Sequence, residues 1–536
     1  DMDKISAHLD DKAPKNAVVV GGGFIGLEMV EALAKRGLNV SVVEKMPHVM
    51  ALMEAETAGF IETEMKSYGI NIHTNAGVTK INADSVELDN GTIIDADMVL
   101  LSIGVRPTLQ LAKESGLAIG EAGGLLVNEY LQTSDADIYG AGDMVEIEHR
   151  VNGKKVRIPL AGPANRQGRI AAENALGGKH AYKGAIGTSV VRVFEAVAGI
   201  TGLSLKQARS LGINADAVVV HKEAFTSYYP GSEPVTAMLV YDKDNGTILG
   251  GQTAGYIGAD KRLDVIATAT ATKQTISDIA DIDFAYSPPI GTANDAMNMA
   301  AYVAENKMTG YSPSITAAEL DDYIKENNPL IVIDVRDVFA FEKSHINGTA
   351  NVPLELLGPN VSKIPKDKPI LVYDETGKKG HQALRTLKSA GITNVVNISG
   401  GHTSLQRYAT AVGFTTIDIN LLPVEEKSLD QEEKETKEQT TTAKEEPKQQ
   451  EENSTLVVDV RTAGEFMGGA YPGAVNISLD EIMSGYTEGF GTNFDREIIV
   501  YCASGARSAY AQQVLRQKGY TNVKNGGGIA MMMSRR

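Results

Sequence analysis

Two short stretches of this sequence carry residue types whose spacing can do chemistry. The first is Gly21-x-Gly23-x-x-Gly26. It is entered from the apolar run Val18–Val20 and followed by a helical pattern, a second apolar run and Glu44. Gly21 permits a tight strand-to-helix turn, Gly23 lets backbone approach a pyrophosphate, and Gly26 lets helix and strand pack closely. The helix start offers unpaired N–H groups and a positive dipole end to the phosphates. Glu44, 18 residues past Gly26, is spaced to accept a hydrogen bond from an adenine-ribose 2′-OH. That favours NADH, and Lys45 beside it leaves NADPH possible. The second stretch is Cys502-Ala503-Ser504-Gly505-Ala506-Arg507-Ser508, after the apolar run Ile498–Tyr501. A short loop curled around a cysteine at a helix start points backbone N–H groups at the sulfur and stabilises a thiolate or a terminal persulfide. Arg507 adds a positive charge for an anionic sulfur donor. Such a thiolate can take up sulfane sulfur and pass it on. The bland alternatives are a glycine-rich turn in an unrelated parallel sheet and a buried structural cysteine. The strand–helix–strand–acid and strand–C-x-x-G-x-R–helix contexts weigh against each.

The elements that must position these residues need several domains. At 536 residues the chain is too long for one core, and about three or four domains are expected. A net charge of −17 argues against a general nucleic-acid binder, because phosphate-backbone binding needs clustered Lys and Arg. No apolar run reaches the ~18 residues of a membrane span. The single cysteine excludes an internal disulfide and fits a reducing compartment, so a cytoplasmic location is expected. The nine histidines are scattered, without H-x-x-x-H spacing, and no metal site is proposed.

Along the chain, a short helix over Ile5–Leu9 leads into the first strand. A helix over Ala55–Tyr68 and β-like runs at Asn71–Thr74, Ser85–Leu88 and Met98–Ile103, ending at Gly104, complete a βαβ nucleotide unit. Thr133–Asp143 reads as a short strand running into Gly140-Ala141-Gly142-Asp143, whose carboxylate can accept from a ribityl or sugar hydroxyl. At this distance from the glycine turn, the motif resembles the return of the FAD domain in the pyridine nucleotide-disulfide oxidoreductases. Ser102–Pro107 resembles that family's crossover. The run Ile158–Ala175 resembles the segment that meets the flavin, with Pro163 and Ala164 opening a helix near the isoalloxazine. A helix N-terminus there stabilises negative charge on reduced flavin.

The resemblance narrows at Ala285–Lys307, which is similar to the coenzyme A-disulfide reductase and NADH-dependent persulfide or polysulfide reductase branch. It implies a dimerisation domain over the alternating runs of Thr188–Asp283, and hence a homodimer. It also implies a tyrosine that supports thiol chemistry in the partner's active site: Tyr286, with Tyr228 or Tyr229 as the other candidate. By the same resemblance Phe24 gates the flavin, Glu28 approaches the nicotinamide edge, and Gly104 and Gly142 belong to the cofactor-binding turns. Members also carry an FAD-binding GxGxxG and a redox cysteine ahead of the NADH domain. Neither is present before Gly21, so the sequence reads as part of a larger reductase.

Near the C-terminus the sequence repeats. IVIDVRDVFAFEKSH matches VVDVRTAGEFMGG, and ILVYDETGKKGHQALRTLKSAGITNV matches IVYCASGARSAYAQQVLRQKGYTNV. Two copies of one domain are expected, and both resemble rhodanese domains. Asp374 replaces the cysteine in the first copy, which therefore holds no persulfide and reads as a spacer or docking domain. Asp334 and Asp459 of the two D-V-R motifs read as structural. Between the copies, 424–453 is built from Glu, Lys, Gln and Thr and cannot bury a core. A flexible chain of about 30 residues has an end-to-end distance of about 30 Å, enough for the second copy to swing between donor and acceptor.

The expected architecture is α/β throughout. A hinge segment (1–15) precedes a Rossmann-like NAD(P)H domain (16–105) and the C-terminal half of an FAD domain (106–184). An α+β dimerisation domain (185–310), a first rhodanese-like domain (311–423), the acidic linker (424–453) and a second rhodanese-like domain (454–536) follow. The expected function is FAD- and NADH-dependent reduction of coenzyme A disulfide or persulfide, or of polysulfide, with Cys502 delivering sulfane sulfur. The alternative is a sulfurtransferase that uses the nucleotide region as scaffold.

Overall fold

The computed structural model describes residues 2–427, 455–462, 465–466, 469–484, 488–490, 493–503 and 505–533. Most of the expected linker lies outside them. The chain forms two compact units, 1–433 and 434–536.

The first unit opens on α1 (Met2–Lys12), longer than the helix expected over Ile5–Leu9. Then come β1 (Asn16–Val20), α2 (Phe24–Ala34), β2 (Asn39–Val43), α3 (Ala55–Ser67) and β3 (Asn71–His73). With Met98–Leu101, the strands make a parallel sheet in which β1 lies between β2 and Met98–Leu101. Every apolar residue of β1 and β2 is buried, as a strand covered on both faces requires. The expected simple βαβ unit is corrected in one respect. Val78–Ile81, Ser85–Leu88 and Ile93–Asp95 form a separate antiparallel sheet between β3 and Met98–Leu101. The expected strand before Gly140 is also absent: only an isolated bridge, Gln132 to Tyr139, forms there.

Residues 189–255 build a five-stranded antiparallel sheet. It is backed by the helices Ala259–Thr272, which buries Leu263 and Ile266, and Ala296–Met308, whose buried face is rich in alanine. The first sequence repeat is a five-stranded parallel sheet within the same unit. The second is a four-stranded parallel sheet that forms the core of the other unit. Each D-V-R motif closes on itself as a buried ion pair: Arg336 on Asp334 and Arg461 on Asp459, both at 2.7 Å. In each copy an asparagine, Asn351 or Asn476, donates to both main-chain carbonyls of that turn.

The first rhodanese-like copy is tied to the nucleotide domain through α3. The helix Gly401–Ala411 crosses α3 at Gly59, where a Cβ would lie 2.0 Å from the Arg407 carbonyl. A glycine inside a helix costs about 1 kcal/mol relative to alanine, and here the close crossing requires it. Arg407 lies over the Phe60 ring at 4.7 Å and donates to Thr236 of the antiparallel sheet. Glu56, 1 % exposed, accepts from the Ala318 N–H at the start of the first copy. Burial, helped by neighbouring Glu54, pushes its carboxyl up to about 7. A raised carboxyl favours the folded state while it is protonated. That contribution is fully present below about pH 4.5 and is lost as the pH rises through 7. Glu56→Gln keeps an acceptor for Ala318 without the charge. It should therefore stabilise the protein by up to about 3 kcal/mol near pH 8 and by nothing below pH 4.5, as urea titrations across that range will read.

Candidate functional site

The glycine turn connects β1 to α2, and each glycine is used differently. A Cβ on Gly21, whose φ is +109°, would meet the Ser102 carbonyl at 2.3 Å. On Gly26 a Cβ would meet the Gly21 carbonyl at 1.9 Å. A Cβ on Gly23 would meet nothing within 4 Å, so the middle of the turn is open on that side. Gly23 is the N-cap of α2, and the first helical residues Phe24 and Ile25 line the same space. Glu44 braces the turn: Oε2 accepts from Gly22 N–H at 2.7 Å and Oε1 from Met46 N–H at 2.8 Å.

The open side of the turn faces a cavity of about 1660 Å³. Gly23, Phe24, Glu28, Gly104 and Pro163 all line it, so the fold brings together residues that lie as many as 140 positions apart. The helix Ala161–Ala175 also points its N-terminus there. It starts at Ala161 behind the extended Leu160, two residues earlier than the expected opening at Pro163. Pro163 falls in the first turn, where the N–H it lacks has no helical partner anyway. Ala164 is half-buried and outside the cavity lining. Gly142 donates to Gln167 of this helix at 2.7 Å, which fixes the turn ahead of Asp143. Asp143 is exposed and does not line the cavity.

Arg150, Lys154, Arg157 and Arg166 line the same cavity. They outnumber the two acidic residues of the lining, Glu28 and Asp264, and in a chain of net charge −17 this local excess of positive charge suits phosphate-bearing ligands. The motif reading missed them, although the run HRVNGKKVR ahead of IPLAGPANR carries the signal. The residues present thus fit part of a dinucleotide site. An open Gly23, two helix N-termini and four cationic side chains converge on a space large enough for one.

The two tyrosine candidates stand elsewhere, on one exposed surface. Tyr286 is 52 % exposed and Tyr229 41 %. Their segments are joined by Thr226 N–H donating to the Pro288 carbonyl at 3.1 Å. The buried Arg262 anchors both segments, pairing with Asp295 at 2.6 Å and donating to the Ala224 carbonyl at 2.8 Å.

In the second unit, Cys502 ends the strand Ile498–Cys502 and is fully buried. Gly505, at φ +103°, caps the helix Ala506–Gln517, and its N–H donates to Cys502 Sγ at 3.1 Å. The Ser508 hydroxyl lies 3.6 Å from the same sulfur. Arg507 stands in the first turn of the helix that follows Cys502 and has a partner that the sequence did not show. Both of its terminal nitrogens are held by Glu465 at 2.7 Å, which braces the loop and shares the Arg507 charge between Glu465 and the Cys502 sulfur. The pairing holds Glu465 down at about 2. In the first copy Asp374 fills the equivalent nest with its own carboxylate, which accepts from Lys379 and Gly380 N–H, both at 3.0 Å. Gly380 stands where the second copy has Ser508. A Cβ there would lie 2.1 Å from Asn397 Oδ1, so the two replacements fit each other.

Comparison with known proteins follows the same divisions. The pattern of the pyridine nucleotide-disulphide oxidoreductases matches residues 1–168, and that of their dimerisation domain matches 188–297. The rhodanese-like domain matches twice, at 316–407 and 442–529. The NAD(P)H sulfur oxidoreductase (CoA-dependent) of Pyrococcus abyssi is 31 % identical over 306 residues, 56 % of this chain and 68 % of that protein. The chain belongs to the pyridine nucleotide-disulphide oxidoreductase family. The coenzyme A disulfide reductase of Staphylococcus epidermidis is 28 % identical over 57 % of this chain and 69 % of its own length. Among solved structures, reduced Bacillus anthracis CoADR-RHD is similar at a TM-score of 0.73 and 39 % identity, covering 77 % of this chain and 74 % of the other. The NAD-dependent persulfide reductase from A. fulgidus is similar at 0.70 and 33 %, covering 75 % and 73 %. Among the described residues no helix is long and apolar enough to cross a membrane, and no cluster of His, Cys, Asp or Glu is arranged to hold a metal.

Proposed function

We propose that the protein is an FAD-dependent NAD(P)H oxidoreductase that reduces the sulfur–sulfur bond of coenzyme A disulfide, coenzyme A persulfide or polysulfide, with Cys502 delivering sulfane sulfur. The observation that carries this is the convergence of the open Gly23, the N-terminus of Ala161–Ala175 and four cationic side chains on one cavity. The relatives' substrates support the choice of sulfur–sulfur bond. We assign 16–105 to NAD(P)H binding, 106–184 to part of the flavin domain and 185–310 to a homodimer interface. The two rhodanese-like domains are 311–423 and 454–536.

FAD, when bound, accepts a hydride from the nicotinamide and returns two electrons to sulfur. The chain's own residues bind and orient. Gly23 and the start of α2 would receive the pyrophosphate, and Glu44 would meet the ribose. Phe24 and Glu28, which line the cavity, would meet the nicotinamide, and Gly104, Gly142 and Asp143 would serve the flavin. The helix that opens at Ala161, with Pro163 and Ala164 in its first turn, would face the isoalloxazine, and Tyr286 and Tyr229 would serve the thiol site across the dimer. At Cys502 the thiolate attacks the outer sulfur of a donor such as thiosulfate. A Cys502 sulfur–sulfur bond forms, the donor's breaks, and sulfite leaves with the electron pair. Coenzyme A thiolate then takes that sulfur by the same displacement, and reduction of the resulting persulfide yields coenzyme A thiol and sulfide. The sequence's one cysteine is Cys502, so the redox thiol that the family reading calls for is not among these residues.

The test is NADH oxidation by the full-length flavin-loaded protein. Coenzyme A disulfide or polysulfide is expected to accelerate it. A protein that binds no FAD, or whose NADH oxidation is indifferent to both substrates, contradicts the proposal.

A further inference from the structure

One buried carboxylate beside the glycine turn is not used by the chemistry above. Glu62, on α3, is 2 % exposed. Its Oε1 accepts from Val49 N–H at 3.1 Å, and its Oε2 lies 3.8 Å from Lys66 Nζ at the protein surface. Val49 is fully buried against the turn: a Cβ on Gly22 would lie 3.0 Å from Val49 Cγ1. The next residue, Met50, donates its N–H to the Gly22 carbonyl at 2.8 Å. Gly22 is therefore held on both sides, by Glu44 at its N–H and by Met50 at its carbonyl.

The strap that does this is strained. Met50 is buried and has a φ of +52°, a left-handed conformation that side chains disfavour. Such a residue persists where its surroundings over-determine it. A buried carboxylate is a costly brace, and burial pushes Glu62 up to about 7. An apolar residue would fill the same space at lower cost, but it would leave the Val49 N–H buried and unpaired.

We propose that Glu62 is a positioning residue for the dinucleotide, fixing Gly22 and hence the phosphate-facing turn through the Val49–Met50 strap. This rests on the reading of Gly21–Gly26 as the NAD(P)H site. The test is calorimetric titration of NADH into the full-length protein, alongside steady-state kinetics. Glu62→Gln retains an acceptor for Val49 and should keep the NADH Kd within about twofold of wild type. Glu62→Met fills the space without an acceptor and should raise Kd and the KM for NADH by about five- to tenfold, with kcat at saturating NADH unchanged. Glu62→Asp keeps the charge but is one methylene too short, and should raise Kd likewise. It carries the test if the methionine variant does not fold. Wild-type Kd in both Met and Asp variants overturns the inference, as does a Gln variant as weak as the Met variant. A wild-type protein that binds no NADH instead overturns the nucleotide-site reading beneath it.

Discussion

Cys502→Ser is expected to abolish thiosulfate sulfurtransferase activity, by at least about a thousandfold, while leaving NADH binding untouched. Gly505 N–H and the start of the helix Ala506–Gln517 face a sulfur that ends a buried strand. This arrangement stabilises a negative sulfur and the persulfide built on it. A serine hydroxyl in the same place stays protonated and does not attack sulfane sulfur. No second site compensates, because Asp374 occupies the nest of the first copy with a carboxylate already bonded to Lys379 and Gly380 N–H. A thiosulfate:cyanide assay on the purified variant reads the result. Activity near the wild-type level would remove Cys502 from the chemistry.

The second large effect is expected at the glycine turn, where two alanine substitutions should differ in kind. Gly23→Ala meets no protein atom within 4 Å, so the fold should tolerate it. Its methyl group stands where the pyrophosphate must approach, and NADH affinity should fall by about tenfold to a hundredfold with an unchanged thermal midpoint. Gly26→Ala places a Cβ 1.9 Å from the Gly21 carbonyl, against backbone rather than a yielding side chain. It should lose NADH binding and destabilise the first unit by several kcal/mol, in the range of core overpacking and backbone strain. Fluorescence titration with NADH and a thermal melt on each variant separate the two. If Gly23→Ala bound NADH as wild type does, the ligand would not be crossing Gly23.

These sites were legible in the sequence because each is local. The glycine turn needs only consecutive residues, and its flanking strands announce themselves as unbroken apolar runs that a parallel sheet buries on both faces. The rhodanese repeat was visible because two copies of one core share the same strand-to-helix loop, down to the D-V-R pair and its asparagine. What escaped depends on distant partners. Nothing near Arg507 announces Glu465, 42 positions earlier, as the group that holds it. The cationic lining of the cavity joins the basic run 149–157 to Arg166 on the helix Ala161–Ala175, and only the fold turns these side chains towards the glycine turn. Of the antiparallel sheet between β3 and Met98–Leu101 only the central run Ser85–Leu88 was legible, because the flanking Val78–Ile81 and Ile93–Asp95 are short and largely exposed. The role of α3 was hidden for the same reason. Glu56, Gly59 and Glu62 read as ordinary helix residues until Ala318, Arg407 and Val49 are brought against them.

The most direct test of the whole account follows one sulfur atom. The full-length flavin-loaded protein is treated with thiosulfate, freed of excess donor, and given coenzyme A and NADH under anaerobic conditions, and sulfide and NADH are both measured. One sulfide released per NADH oxidised is predicted, with the burst lost in Cys502→Ser while NADH-dependent reduction of added coenzyme A disulfide continues. An equal sulfide burst from the Cys502→Ser protein, or sulfide released without NADH oxidation, would contradict it.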